Sequence, residues 1–79
     1  MQRWEYLFVT CVLERDEWKA MYVNGQEVRD WKRGPNLAEW SNERGAEGWE
    51  LVSSTFAVGS VPIGMIMDMD YRLIFKRPR

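Results

Sequence analysis

Asn36-Leu37-Ala38-Glu39-Trp40-Ser41-Asn42-Glu43-Arg44-Gly45-Ala46-Glu47-Gly48-Trp49-Glu50-Leu51-Val52 is the stretch from which the fold can be read. Asn36 has the chemistry of a helix N-cap, and Glu39 three residues on completes a capping box. A helix is predicted over Leu37 to Arg44, with Leu37, Trp40, Ser41 and Arg44 on one side at helical spacing. Gly45 reads as the left-handed stop just past its end. Gly48 allows a sharp return, and Trp49 opens a strand that runs to Val58 and caps the core. In that strand Trp49, Leu51, Ser53, Thr55 and Ala57 face one way, and Glu50, Val52, Ser54 and Phe56 the other. A helix of about two turns is too short to stand alone, so it must lean on a sheet.

The rest of the sheet is read outward from this corner. Arg3 to Leu13 is rich in aromatic and β-branched residues and reads as a strand. It carries Trp4, Tyr6, Phe8, Thr10 and Val12 on one face and Glu5, Leu7, Val9, Cys11 and Leu13 on the other. With both faces largely apolar, an interior strand covered on two sides is expected. Trp18 to Val23, Asn24-Gly25 and Gln26 to Val28 form a hairpin signal, because Asn-Gly suits a turn that needs positive φ twice. Lys32-Arg33-Gly34-Pro35 is a connection, Gly59 to Gly64 a loop, and Met65 to Lys76 the last strand. Arg77-Pro78-Arg79 is expected to fray. The fold class is α+β: an antiparallel sheet of four or five strands with one short helix packed on one face, in a single domain over residues 1–79.

Composition narrows the chemistry. The 79 residues include five Trp, one Cys and no His. A core of this size seldom supplies more than about 3–5 kcal/mol, so small domains recruit a metal, disulfides or a partner subunit. Cys11 has no second cysteine to pair with, and a structural zinc has one soft ligand at most. Dense aromatic packing and oligomerisation remain. Eleven basic residues against twelve acidic ones give a net charge of −1, which is not the basic footprint of a nucleic-acid binder or of a membrane-surface protein. Leu7 to Leu13 is apolar but too short to cross a bilayer. Glu5 and Glu14-Arg15-Asp16 do not fit a secretory leader. A cytoplasmic location is the expectation.

Three blocks, Trp4-Glu5-Tyr6, Gly45 to Val52, and Phe75-Lys76-Arg77, resemble the pattern of a family of small bacterial and phage proteins catalogued only as a domain of unknown function. The resemblance covers both ends and the middle of the chain, and is less clear across Glu14 to Arg33. It implies a small antiparallel sheet with one helix, and no activity.

Catalytic chemistry finds little support, and neither a catalytic residue nor a cofactor is expected. Cys11 lies mid-strand with no imidazole to activate it and reads as a small buried hydrophobe. Asp68 and Asp70 share a strand face, where a carboxylate pair could hold a hard cation, but they lack further oxygen ligands and read as a solvated face. Gly59 to Gly64 has no Lys, and Pro62 removes an amide, so it reads as a flexible hairpin end rather than a phosphate cradle; the alternative is that its apolar Val61 and Ile63 serve a partner contact.

The aromatic surplus is Trp18, Trp31 and Trp40 with Tyr22, and Trp40 reads as core. Trp18, Arg29, Trp31 and Arg33 form a candidate ligand- or partner-binding set, since Trp and Arg anchor interfaces and can also stack and clamp a nucleotide. With the helix on one sheet face, Leu7, Val9, Leu13, Val52, Phe56, Ile66 and Ile74 are assigned to the other, as an oligomer face. The leading expectation is a non-catalytic interaction module acting as a homo-oligomer, its hairpin and Trp31 region meeting a protein partner. The alternative is a protein that binds or sequesters a small nucleotide-like molecule between subunits.

Overall fold

The computed structural model describes residues 2–58 and 69–79. Five strands and one α-helix follow in order. They are β1 (Trp4–Glu14), β2 (Glu17–Val23), β3 (Gln26–Glu27), a 3-10 turn (Trp31–Arg33), α1 (Leu37–Ala46), β4 (Glu50–Val58) and β5 (Met69–Pro78). The strands form one antiparallel sheet in the order β3-β2-β1-β5-β4. The α+β class read from the sequence is the observed one. Gly59 to Gly64, Ile66 and Asp68 lie outside the described residues, as does the start of the predicted last strand.

Two tight turns build the β1-β2-β3 ribbon. Asn24 and Gly25 both have positive φ, 51° and 81°, as an Asn-Gly hairpin requires. Asn24 also docks on β1: its Oδ1 accepts from the Phe8 N–H at 2.9 Å, and its own N–H donates to the Phe8 carbonyl at 2.7 Å. The first turn is made by Arg15 and Asp16, with φ of 50° and 67°. Neither is glycine or asparagine, which is why β1 and β2 read as separate segments.

The helix ends later than Gly45. The Asn36 Oδ1 accepts from the Glu39 N–H at 2.9 Å, so the N-cap stands as read. At the other end Gly45 is helical, and Gly48 is the residue with positive φ, 95°. The Trp49 N–H donates to the Arg44 carbonyl and the Gly48 N–H to the Gly45 carbonyl, each at 3.0 Å. This paired closure is a Schellman motif, which places the left-handed residue at Gly48.

The core lies between α1 and one face of the sheet: Leu7, Val9, Cys11, Ala20, Leu73 and Phe75, covered by Trp40. The Trp40 and Phe75 rings meet edge-on at 5.9 Å. Register explains the grouping, since Leu7 pairs with Phe75 and Val9 with Leu73. At one end of this face Arg77 pairs with Glu5, stacks on Trp49 at 4.2 Å and donates to the Glu47 carbonyl at 3.0 Å. The C-terminal residues do not fray: Trp4 pairs with Pro78, and the Arg79 N–H donates to the Arg3 carbonyl.

Three expectations about faces are corrected. β1 lies centrally in the sheet but is covered on one side only, for Tyr6 is 49% and Phe8 55% exposed. Leu7 and Val9, assigned to an oligomer face, are core residues on the helix side. A register shift between Leu51 and Ser53 reverses the alternation in β4. Leu51 pairs with Phe75 and Phe56 with Tyr71, which puts both on the helix side, while Ser53 pairs with Ile74 on the open side. A bulge consumes one residue without pairing it, so parity counted through Val52 fails.

Candidate interaction surfaces

Three surfaces remain once the core is subtracted. The first is an apolar groove of about 490 Å³ on the helix side, between α1 and the strands β4 and β5, lined chiefly by Trp18, Leu37, Ser41, Leu51, Ser54 and Tyr71. It exists because α1 packs towards β2 and leaves the β4 margin uncovered. Leu51 and Phe56 are each 50% exposed there. Trp18 stands edge-on to Tyr71 at 5.6 Å and to Phe56 at 5.8 Å, and Phe56 to Tyr71 at 6.1 Å, so three rings brace one another. Such edge-to-face contacts add to area burial and hold the wall in one shape.

The second surface is the β2 margin. Trp31 is half-buried in the 3-10 turn, with the Lys32 ammonium 5.6 Å from its ring centre. Arg33 and Arg29 are exposed. A cavity of about 410 Å³ is lined by Glu27, Asp30, Trp31, Lys32 and Arg33. The turn is fixed by Lys19, a buried lysine whose Nζ donates to the carbonyls of Gly34 at 2.6 Å and Lys32 at 3.1 Å, with the Glu17 carboxylate 3.7 Å away. A buried ammonium needs such partners, and carbonyls pulled in from a passing loop supply them.

The third is the open face of the sheet. Trp4, Tyr6 and Phe8 project from β1 at 39%, 49% and 55% exposure. Phe8 pairs with Ile74, and Tyr6 with Lys76, whose ammonium also lies 4.3 Å from the Trp4 ring centre. Across β5, Ile74 and Lys76 meet Ser53 and Glu50. The face sets the aromatic row of β1 beside cations on the neighbouring interior strand β5, where Lys76 stands opposite Tyr6 and Arg72 opposite Thr10.

The four binding residues inferred from sequence do not converge. Trp18 lines the groove, whereas Trp31 and Arg33 line the β2-margin cavity and Arg29 lines neither. Of the seven assigned to an oligomer face, Ile66 lies outside the described residues and the other six are divided as well. Leu7 and Val9 are in the core. Leu13, 41% exposed, pairs with Trp18 and shares the helix side with Phe56, while Val52 sits in the bulge. Among the described residues of that set, only Ile74 belongs to the open face. The members that sequence reasoning passed over are Trp4, Tyr6, Phe8 and Lys19. A signal for the first three was present: their side of β1 carries hydroxyls at Tyr6 and Thr10, while Leu7, Val9 and Cys11 opposite have none. A wet face tolerates hydroxyls that a dry core does not.

Cys11 is fully buried, and burial pushes its thiol from the ordinary 9.0 up to about 12, so it is held in the un-ionised form near neutral pH. Among the described residues, no cluster of three or more acidic or thiol ligands is placed to hold a metal ion. No helix among them is long and apolar enough to cross a membrane. No family model, curated protein or solved structure matches the chain.

Proposed function

We propose that the protein is a non-catalytic interaction module that acts in the cytoplasm as a homo-oligomer, with the open sheet face as its contact surface. One observation carries this reading: Trp4, Tyr6 and Phe8 stand side by side, each more than a third exposed, on a sheet whose single helix covers the other face. An apolar stripe of this kind is costly to leave in water, and a second copy offers the same stripe to cover it. The Trp31–Arg33 turn, braced by Lys19, is the region this reading assigns to a protein partner. The un-ionised Cys11 supports the non-catalytic part, since a thiol nucleophile acts as its thiolate. The motif resemblance to small bacterial and phage proteins is part of the same reading.

Sedimentation equilibrium of the wild type and of Phe8→Glu tests it. The wild type is expected to run as a multiple of the chain mass. Phe8→Glu is expected to run as a monomer or smaller assembly with unchanged far-UV circular dichroism. An unchanged mass for a folded Phe8→Glu would refute the open face as the contact.

A second reading is favoured by the groove. Its volume falls in the range of small-molecule sites, which run to about 300–1,000 Å³. Among the described residues its lining holds Trp18 and Tyr71 but no Lys or Arg, and its one charged residue is Glu17. This supports a flat apolar ligand rather than a nucleotide, whose phosphates call for cations. Isothermal titration with such a compound should lose its heat in Trp18→Ala and keep it in Arg33→Ala.

A further inference from the structure

The two edges of the sheet are built differently. At one edge β3 is two residues long, and the exposed flank of β2 is closed by the 3-10 turn through the Lys19 hydrogen bonds. Lys32 and Arg33 stand there as well. Short, covered and charged edges are how sheets resist pairing with another chain. The other edge has none of these protections among the described residues. β4 is nine residues long, Glu50 is its one charged residue, and it contains no proline. Among the described residues its only sheet neighbour is β5. Leu51 and Phe56 at 50% and Val52 at 43% exposure run along it. An edge strand turns half of its N–H and C=O groups away from its one neighbour, and these accept a further strand.

We infer that β4 pairs antiparallel with β4 of a second copy, joining two five-stranded sheets edge to edge about a two-fold axis at Thr55. The occupant is argued from the strand itself. The bulge at Val52 spoils the first part of the edge, and the regular register begins at Ser53. Centring on Thr55 confines pairing to that regular part and sets Ser53 opposite Ala57 and Ser54 opposite Phe56. No two charges of like sign meet in this arrangement. Ser54 and Phe56 both lie on the helix side, and Ser54 lines the apolar groove. Phe56 of the second copy therefore falls beside a small residue at the groove mouth, where its exposed half finds an apolar wall. The fit is of large against small, repeated twice by the two-fold axis. This contact lies on a different surface from the open face.

Cysteine cross-linking of the full chain tests it. Residues opposed across antiparallel strands have Cα atoms about 4.5–5.5 Å apart, within the range of a disulfide. Thr55→Cys is expected to oxidise to a covalent dimer at least tenfold faster than Glu27→Cys, which sits on the protected edge. The buried Cys11 does not compete. Thr55→Glu places two carboxylates face to face across the axis, but sets each beside Arg72 within its own sheet. It is expected to weaken association at least tenfold while the far-UV circular dichroism stays that of the wild type, and Thr55→Val is expected to leave association unchanged. Equal cross-linking of the two cysteine variants would overturn the pairing, as would a folded Thr55→Glu of unchanged association, or capture of another protein by Thr55→Cys in place of a second copy. Phe8→Glu separates the two surfaces. Cross-linking of Thr55→Cys that persists in the Phe8→Glu background supports the edge contact whether or not the open face associates.

Discussion

Replacing Lys19 by Met separates the ammonium of this residue from its packing, because methionine keeps most of the unbranched stem and drops the charge. Lys19 is 8% exposed and makes two charge-assisted hydrogen bonds, at 2.6 Å to the Gly34 carbonyl and 3.1 Å to that of Lys32. Hydrogen bonds to charged groups contribute roughly 1.5–3 kcal/mol each, so the gross loss is about 3–6 kcal/mol. Against this, burying an ammonium costs several kcal/mol, which the variant recovers. Lys32 is exposed and Gly34 half-buried, so water can reach at least the first freed carbonyl. The net global cost is therefore about 1–2 kcal/mol, seen as a fall in melting temperature of roughly 4–16 °C for a domain of this size. The local effect should be larger than the global one. The Arg33 and Gly34 amides bond to the Asp30 and Trp31 carbonyls, and that short turn has little else to hold it. Amide hydrogen exchange of Arg33 and Gly34 is expected to speed up at least tenfold, while exchange in β1 and β5 follows the global change. If those two amides keep their protection and only global stability falls, the ammonium does not hold the turn, and the reasoning fails.

The remaining predictions concern the helix terminus, the buried thiol and the N-cap. Gly48→Ala forces a methyl-bearing residue to φ of 95° and should cost about 1–2 kcal/mol, whereas Gly45→Ala, helical and with nothing within 4 Å of an added methyl, should stabilise by about 0.5–1 kcal/mol; urea melts of the two variants check the opposite signs. The raised folded pKa of Cys11 means that the unfolded chain loses this proton first as pH rises. Folding stability is therefore untouched by the thiol below about pH 9 and falls by about 1.4 kcal/mol per pH unit from there towards about 12. Cys11→Ala removes that dependence, so the wild type should lose about 1.4 kcal/mol relative to the variant between about pH 8 and about pH 10, read from urea melts at both. Asn36→Ala deletes the cap on the Glu39 amide and should cost about 1 kcal/mol in the same assay.

What was legible in the sequence was local. The Asn36 cap, the Asn24-Gly25 turn and the helix side carrying Trp40 each depend on neighbours in the chain, and each is where the residues place it. What was not legible depends on pairing across the sheet. The bulge at Val52 reversed the faces of β4, and no residue in Glu50 to Phe56 announces it. The choice of helix side was open on hydrophobicity alone, because aromatic Trp4, Tyr6 and Phe8 match Leu7, Val9 and Cys11 in apolar character. In the structure Trp40 covers Leu7, Val9 and Cys11 beside the Phe75 ring, and the row Trp4, Tyr6 and Phe8 is left on the other face. The same choice dispersed the predicted binding set. Trp18 is drawn to the groove wall by Tyr71 and Phe56, and Trp31 is carried to the other margin by a turn that Lys19 holds.

Native mass spectrometry of the wild-type protein, freshly purified at micromolar concentration, addresses self-association directly. The account predicts a whole multiple of the 9.4 kDa chain with no added mass. A folded 9.4 kDa monomer under those conditions would contradict it.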